Sequence, residues 1–181
     1  MPFQRLPFPA LLVAVAVLAG TGPHARAYDI PAERQNTLTM VYDGDSFGRC
    51  MGEREDPSDC IGHFRKACGA NAQTEEEWFF CIDTELKHWD DYLNRLYKEA
   101  MGVLGQDDAD RDTPAGDSMR SMTDALRDTQ RAWIPYRDAL CDFAANMTPG
   151  GTTAPEHRMI CLSDETARQS LHLGRMLGFN D

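Results

Sequence analysis

Between Trp78 and Val103 the apolar side chains return every three or four residues: Trp78, Ile82, Leu86, Trp89, Leu93, Leu96, Ala100 and Val103. That period lays one apolar stripe along a helix of roughly seven turns, which is stable in water only when the stripe is covered. Its start is marked by Thr74-Glu75-Glu76-Glu77, a capping box in which the threonine oxygen accepts from the third amide and Glu77 reaches back. The opposite face carries Glu76, Asp83, Lys87, Asp90, Asp91 and Lys98, a solvated face. A second stripe, Met122, Leu126, Thr129, Trp133, Tyr136, Leu140 and Phe143, predicts a helix over about residues 118–144. A third helix is expected from about Glu156 to Leu177, with Gly178 as its cap. Pro135 lies inside the second helix, and because the period resumes beyond it a kink of more than about 20° is expected rather than a break.

Gly105 to Asp117 and Asn146 to Pro155 have no period and contain proline and glycine, so both read as loops between helices. A short helix is expected from about Asp59 to Cys68, with Ser58 as N-cap and Gly69 ending it in the left-handed conformation. No segment alternates with the period of a strand. The fold class that follows is all-α, an antiparallel helical bundle or hairpin stabilised by disulfides.

Six cysteines give the staples: Cys50, Cys60, Cys68, Cys81, Cys141 and Cys161. They follow a leader with Arg5, an apolar run from Ala10 to Ala19, and Ala25-Arg26-Ala27 as a cleavage site, so residues 1–27 read as a secretory signal. The mature chain would start at Tyr28, periplasmic or secreted, where an even cysteine count implies disulfides. Six cysteines allow 15 pairings. The sequential set 50–60, 68–81 and 141–161 is favoured, because the last two pairs flank a helix start and a helix hairpin. Residues 28–58 hold turn-formers and read as an N-terminal extension with no assigned structure, ahead of a helical domain over 59–181.

The composition excludes several functions. The chain has 18 basic and 29 acidic side chains, and without Arg5 and Arg26 the count is 16 against 29, a net of −13. A nucleic-acid binder needs the reverse, and anionic membrane surfaces are disfavoured for the same reason. No segment of the mature chain is apolar enough to span a bilayer. The chain has no C-x-x-C, no H-E-x-x-H, no G-x-S-x-G elbow and no glycine-rich phosphate loop. The run Asp108-Ala109-Asp110-Arg111-Asp112 begins like an EF-hand, but Thr113 and Met119 stand where glycine and glutamate are needed. No catalytic residue, metal or cofactor is therefore expected, and the chain reads as a non-enzyme.

The densest polar group is Gln130, Trp133, Arg137, Asp138 and Cys141, four of which share one helical face. With Leu93-Asn94-x-x-Tyr97 before it and Gly150-Gly151, Cys161 and Thr166-x-Arg168-x-x-Leu171 after it, this ordered set resembles the LprI-type lysozyme inhibitor domain of exported bacterial proteins. The match covers about residues 60–173. The resemblance implies a small, exported, α-helical binding protein that blocks lysozyme-like muramidases. Its matched positions Leu93, Asn94, Tyr97, Gln130, Trp133, Arg137, Asp138 and Arg168 look like scaffold.

An acidic surface would steer such a protein toward the basic c-type lysozymes. Because the muramidase cleft holds two catalytic carboxylates, the wedge that enters it should offer donors. Gly105 to Asp117 carries five aspartates and would be repelled. The loop after the second helix, with Gly150, Gly151, Thr152, Thr153 and His157, is the better candidate. The competing reading is an envelope structural or interaction module with no lysozyme target.

Overall fold

The computed structural model describes residues 28–40, 44–110, 121–147 and 151–178. Residues 1–27, read above as a secretory signal, most of the Gly105–Asp117 segment and Gly150 lie outside them. The elements are α1 (Ala32–Thr39), α2 (Gly44–Glu53), a 3-10 turn (Pro57–Cys60), α3 (His63–Gly69), α4 (Glu75–Asp110), α5 (Met122–Asn146) and α6 (Ala154–Met176). The described residues contain helices and no strands.

Helices α4, α5 and α6 form the bundle, with α6 packed against both others and most extensively against α4. Cross-links fix the directions. Trp78 Nε1 donates to Glu156 at 2.7 Å and Ser170 Oγ to the Trp89 carbonyl at 3.3 Å, so α4 and α6 run parallel. The short connection and the Cys141–Cys161 bond set α5 antiparallel to α6. On α6 the buried positions include Ser163, Thr166, Ala167, Ser170 and Gly174, small side chains that let the α4 backbone come close.

Two clusters make the core. The first gathers Leu38, Phe64, Trp89, Ala167 and Leu171 around the Cys50–Cys60 and Cys68–Cys81 bonds. The second joins Leu93, Leu96 and Ala100 of α4 to Leu126 and Leu173. All three disulfides follow the sequential pairing, with Cα–Cα distances of 6.0, 5.7 and 5.4 Å.

Residues 28–58 hold α1 and α2, which no period announces because tertiary contacts hold them. Arg34 donates to both oxygens of Glu77 at 2.7 and 2.8 Å, and Phe47 meets the Trp89 ring at 4.9 Å. The single helix expected from Asp59 is two pieces. Asp56, not Ser58, caps the 3-10 turn, accepting from the Ser58 amide at 2.8 Å. Gly62 at φ 78° then turns the chain into α3. Gly69 ends α3 without a positive φ, and its lack of a side chain serves packing instead, since a Cβ there would overlap the Trp78 ring.

Helix α4 runs past Gly105 to Asp110, so residues 105–110, expected in a loop, are helical, and the rest of that segment lies outside the described residues. The reason is Asp108, whose carboxylate accepts from the Met122 and Thr123 amides at 2.9 and 3.0 Å and caps α5 from another helix. Those bonds hold its pKa well below the ordinary carboxylate range. Asp108 is thus a helix cap, and no group of potential metal ligands exists among the described residues.

Helix α5 continues through Pro135 unbroken, and the proline is exposed, where water can serve the Arg131 carbonyl. The inward face of α5 differs from the expected stripe. Leu126, Gln130, Trp133, Arg137 and Cys141 turn inward, whereas Thr129, Tyr136 and Phe143 face solvent. The disulfide and the Trp133–Arg137 stack fix this rotation, overriding the apolar period. Val103, expected in the first stripe, is likewise exposed. Gly178 has φ 68°, as a capping glycine should.

Candidate binding surface

The surface starts from the end of α5. Met147 closes that helix, and Gly151 at φ 72° lets the chain reverse into α6. Thr153 is the N-cap of α6, yet its side chain makes no capping bond. Gly151, Thr152, Thr153 and His157 are all exposed. The His157 Nδ1 lies 2.9 Å from the Thr153 carbonyl, which holds the imidazole against the first turn of α6.

Three bonds make the base of this loop rigid. Cys141–Cys161 ties α5 to α6, Arg158 donates to Asp142 at 2.6 Å, and the Glu156 carboxylate accepts from Trp78. The only acid in the first turn of α6 is thereby engaged by a core tryptophan. What remains outward is a set of hydroxyls, an imidazole and the partially positive end of a helix of 23 residues. That combination suits a carboxylate-bearing partner. Of the residues expected in this loop, four come together here.

The matched scaffold positions lie elsewhere. Leu93 is buried and Tyr97 packs in the second cluster, while Asn94 is exposed and donates to Asp90 at 3.0 Å. The Arg137 guanidinium sits 4.9 Å from the Trp133 ring centre, donates to Asp138 at 2.8 Å and reaches the Thr166 hydroxyl at 3.4 Å. This is an edge arginine, stacked and paired, with no spare face for a ligand. Gln130 lies beside it, half-buried, with its Nε2 unpartnered. Arg168 is exposed and bonds Glu165 at 2.6 Å. These side chains position α5 and α6 and do not form a cleft.

The strongest polar network contains residues that the sequence reading passed over. Glu85 is fully buried in the apolar stripe of α4. It accepts from the Gly62 and Arg65 amides at 2.6 and 2.5 Å and from the Arg65 guanidinium at 3.2 Å. Arg65 also pairs with Asp164 of α6 at 2.7 Å. Burial raises the Glu85 pKa, while Arg65 and the amides act in the opposite direction. The signal was present, because Cys81, Glu85 and Trp89 are spaced by four on the buried face.

Comparison with known proteins agrees with this architecture. The family described as "Lysozyme inhibitor LprI" matches residues 68–173. A relative from Rhizobium meliloti (strain 1021), the uncharacterized protein R02472, is 29% identical over 100 residues, which are 54% of this chain and 69% of the relative. No solved structure matches the chain. The family match takes in more than half of the sequence, including both cysteine pairs of the bundle and the Trp133–Arg137 segment, so this chain belongs to the LprI lysozyme inhibitor family.

Proposed function

We propose that the protein acts outside the cytoplasm as an inhibitor of lysozyme-like muramidases, presenting the Gly151–His157 loop to the enzyme cleft. The observation that carries this reading is the membership in an inhibitor family of a chain whose exposed, disulfide-held loop bears donors and no free acid. A muramidase works with two carboxylates in a cleft. Hydroxyls, an imidazole and a helix N-terminus complement them, and the rigid base spares the loop an ordering cost on binding. The mature net charge of −13 steers a basic enzyme toward the protein, although the loop itself is not acidic.

The test is a triple replacement of Thr152, Thr153 and His157 by alanine. Inhibition of a c-type lysozyme should weaken by about tenfold, equivalent to about 1.4 kcal/mol, with no fall in melting temperature, because these side chains face solvent. Unchanged inhibition by the triple variant would move the contact surface elsewhere.

A further inference from the structure

The side of α5 that the bundle leaves uncovered carries its own apolar stripe. Ala132, Tyr136, Ala139, Phe143 and Met147 are all exposed, the three large ones by 61%, 60% and 66%. At 100° per residue they fall within an arc of about 80°, on the opposite side from Gln130, Arg137 and Cys141. Aromatic and methionine side chains lined up in solvent mark an interaction surface.

The pattern of the stripe says what covers it. From Ala132 to Phe143 large and small residues alternate, so a second α5 laid antiparallel about a twofold axis between Arg137 and Asp138 sets each Tyr136 over Ala139 and each Phe143 over Ala132. Knobs then meet gaps along the seam. One flank of the stripe carries Arg131 and Asp142, three turns apart. The same axis brings each Arg131 to within about two residue rises, about 3 Å, of the level of the Asp142 of the other copy, a gap the long arginine side chain can span. A twofold contact must be self-complementary in this way, with every residue i facing j and every j facing i. Both charges are exposed: Arg131 by 72%, 3.8 Å from Asp128, and Asp142 by 58%, with one oxygen bonded to Arg158 at 2.6 Å and the carboxylate open on its other side.

We propose that a second copy of this chain docks antiparallel along the outer face of α5, through Tyr136, Phe143 and the Arg131–Asp142 pairs. From Ala132 to Met147 the helix rises about 22 Å, so two such faces bury on the order of 1,000 Å² in total, at the low end for a specific contact. The dimer is accordingly weak and concentration-dependent. It does not depend on the inhibitor reading.

Sedimentation velocity of the purified, oxidised protein from about 1 to about 500 µM tests it, spanning the dissociation constants such an interface gives. The expected result is a shift from monomer to dimer mass within that range. Phe143→Glu should weaken dimerisation at least tenfold with an unchanged melting curve, because the ring is exposed in the monomer. Arg131→Asp should weaken it about tenfold by setting like charges near each other across the seam. A monomer throughout the range overturns the proposal, as does dimerisation of Phe143→Glu at the wild-type concentration. If the wild-type chain is monomeric and Phe143→Glu loses lysozyme inhibition, the face belongs to the enzyme and not to a second copy.

Discussion

Glu85 shows what a single residue decides in this fold. It receives two amides and a guanidinium inside the core, joining the 3-10 turn and α3 to α4, and through Arg65 to α6. Replacing it with alanine leaves those donors buried without an acceptor, so Glu85→Ala should cost about 3 kcal/mol or more in denaturant unfolding. A loss below about 0.5 kcal/mol would show that the donors find other partners. Glu77 is a second buried acid, two turns before Glu85 on the same helix. The Arg34 guanidinium, and after it the Gln73 amide, hold its carboxyl at about 2, against an ordinary value of 4.5. A carboxylate whose pKa is lowered on folding adds stability above its unfolded value and loses it as pH falls through the folded one. Arg34→Gln should therefore melt below the wild type at pH 6 and approach it as pH drops from 4.5 through 2. An equal gap at both ends of that window would mean that the arginine acts through packing alone.

At the scale of elements, the long helices were legible because one apolar period runs through each of them. The capping box at Thr74 was legible too, with the Glu77 amide 3.1 Å from the Thr74 hydroxyl. The rotation of α5 was not, since its sequence offers two candidate inner faces that share Trp133. Hydrophobicity favours the face with Tyr136 and Phe143, while the Cys141 bond and the Arg137 stack select the other. The helices α1 and α2 were illegible for a different reason. They are short, and what holds them is distant in sequence: Arg34 with Glu77, Phe47 with Trp89 and Cys50 with Cys60. The cap that Asp108 gives α5 was illegible, because a cap supplied by a neighbouring helix leaves no local pattern. In the candidate loop, the exposure of Thr152, Thr153 and His157 followed from glycines and lack of period, whereas its rigid base, built by Trp78 and Glu156, lies 78 residues apart in the chain. Pro135 gives this scale its prediction. It sits on the exposed side of α5, so Pro135→Ala restores a backbone donor without disturbing the core and should raise stability by about 1 kcal/mol or more. A lower melting temperature would show that the proline sets the angle at which Trp133 packs.

For the whole molecule, three disulfides staple a helical chain with two small cores, a construction suited to an oxidising environment. None of its described helices is long and apolar enough to cross a membrane. In the proposed inhibitor, net charge and loop divide the work of recognition, because long-range attraction falls off beyond about 8 Å at physiological salt while the donors act on contact. Both belong to one claim, that the protein occupies the cleft of a lysozyme-like muramidase. The direct measurement is lysis of bacterial cell walls by c-type lysozyme titrated with the purified protein at low ionic strength. The account predicts loss of lysis as the protein approaches the enzyme in concentration, with weaker inhibition as salt is raised. Full lysozyme activity at micromolar excess of the protein in low salt would contradict it.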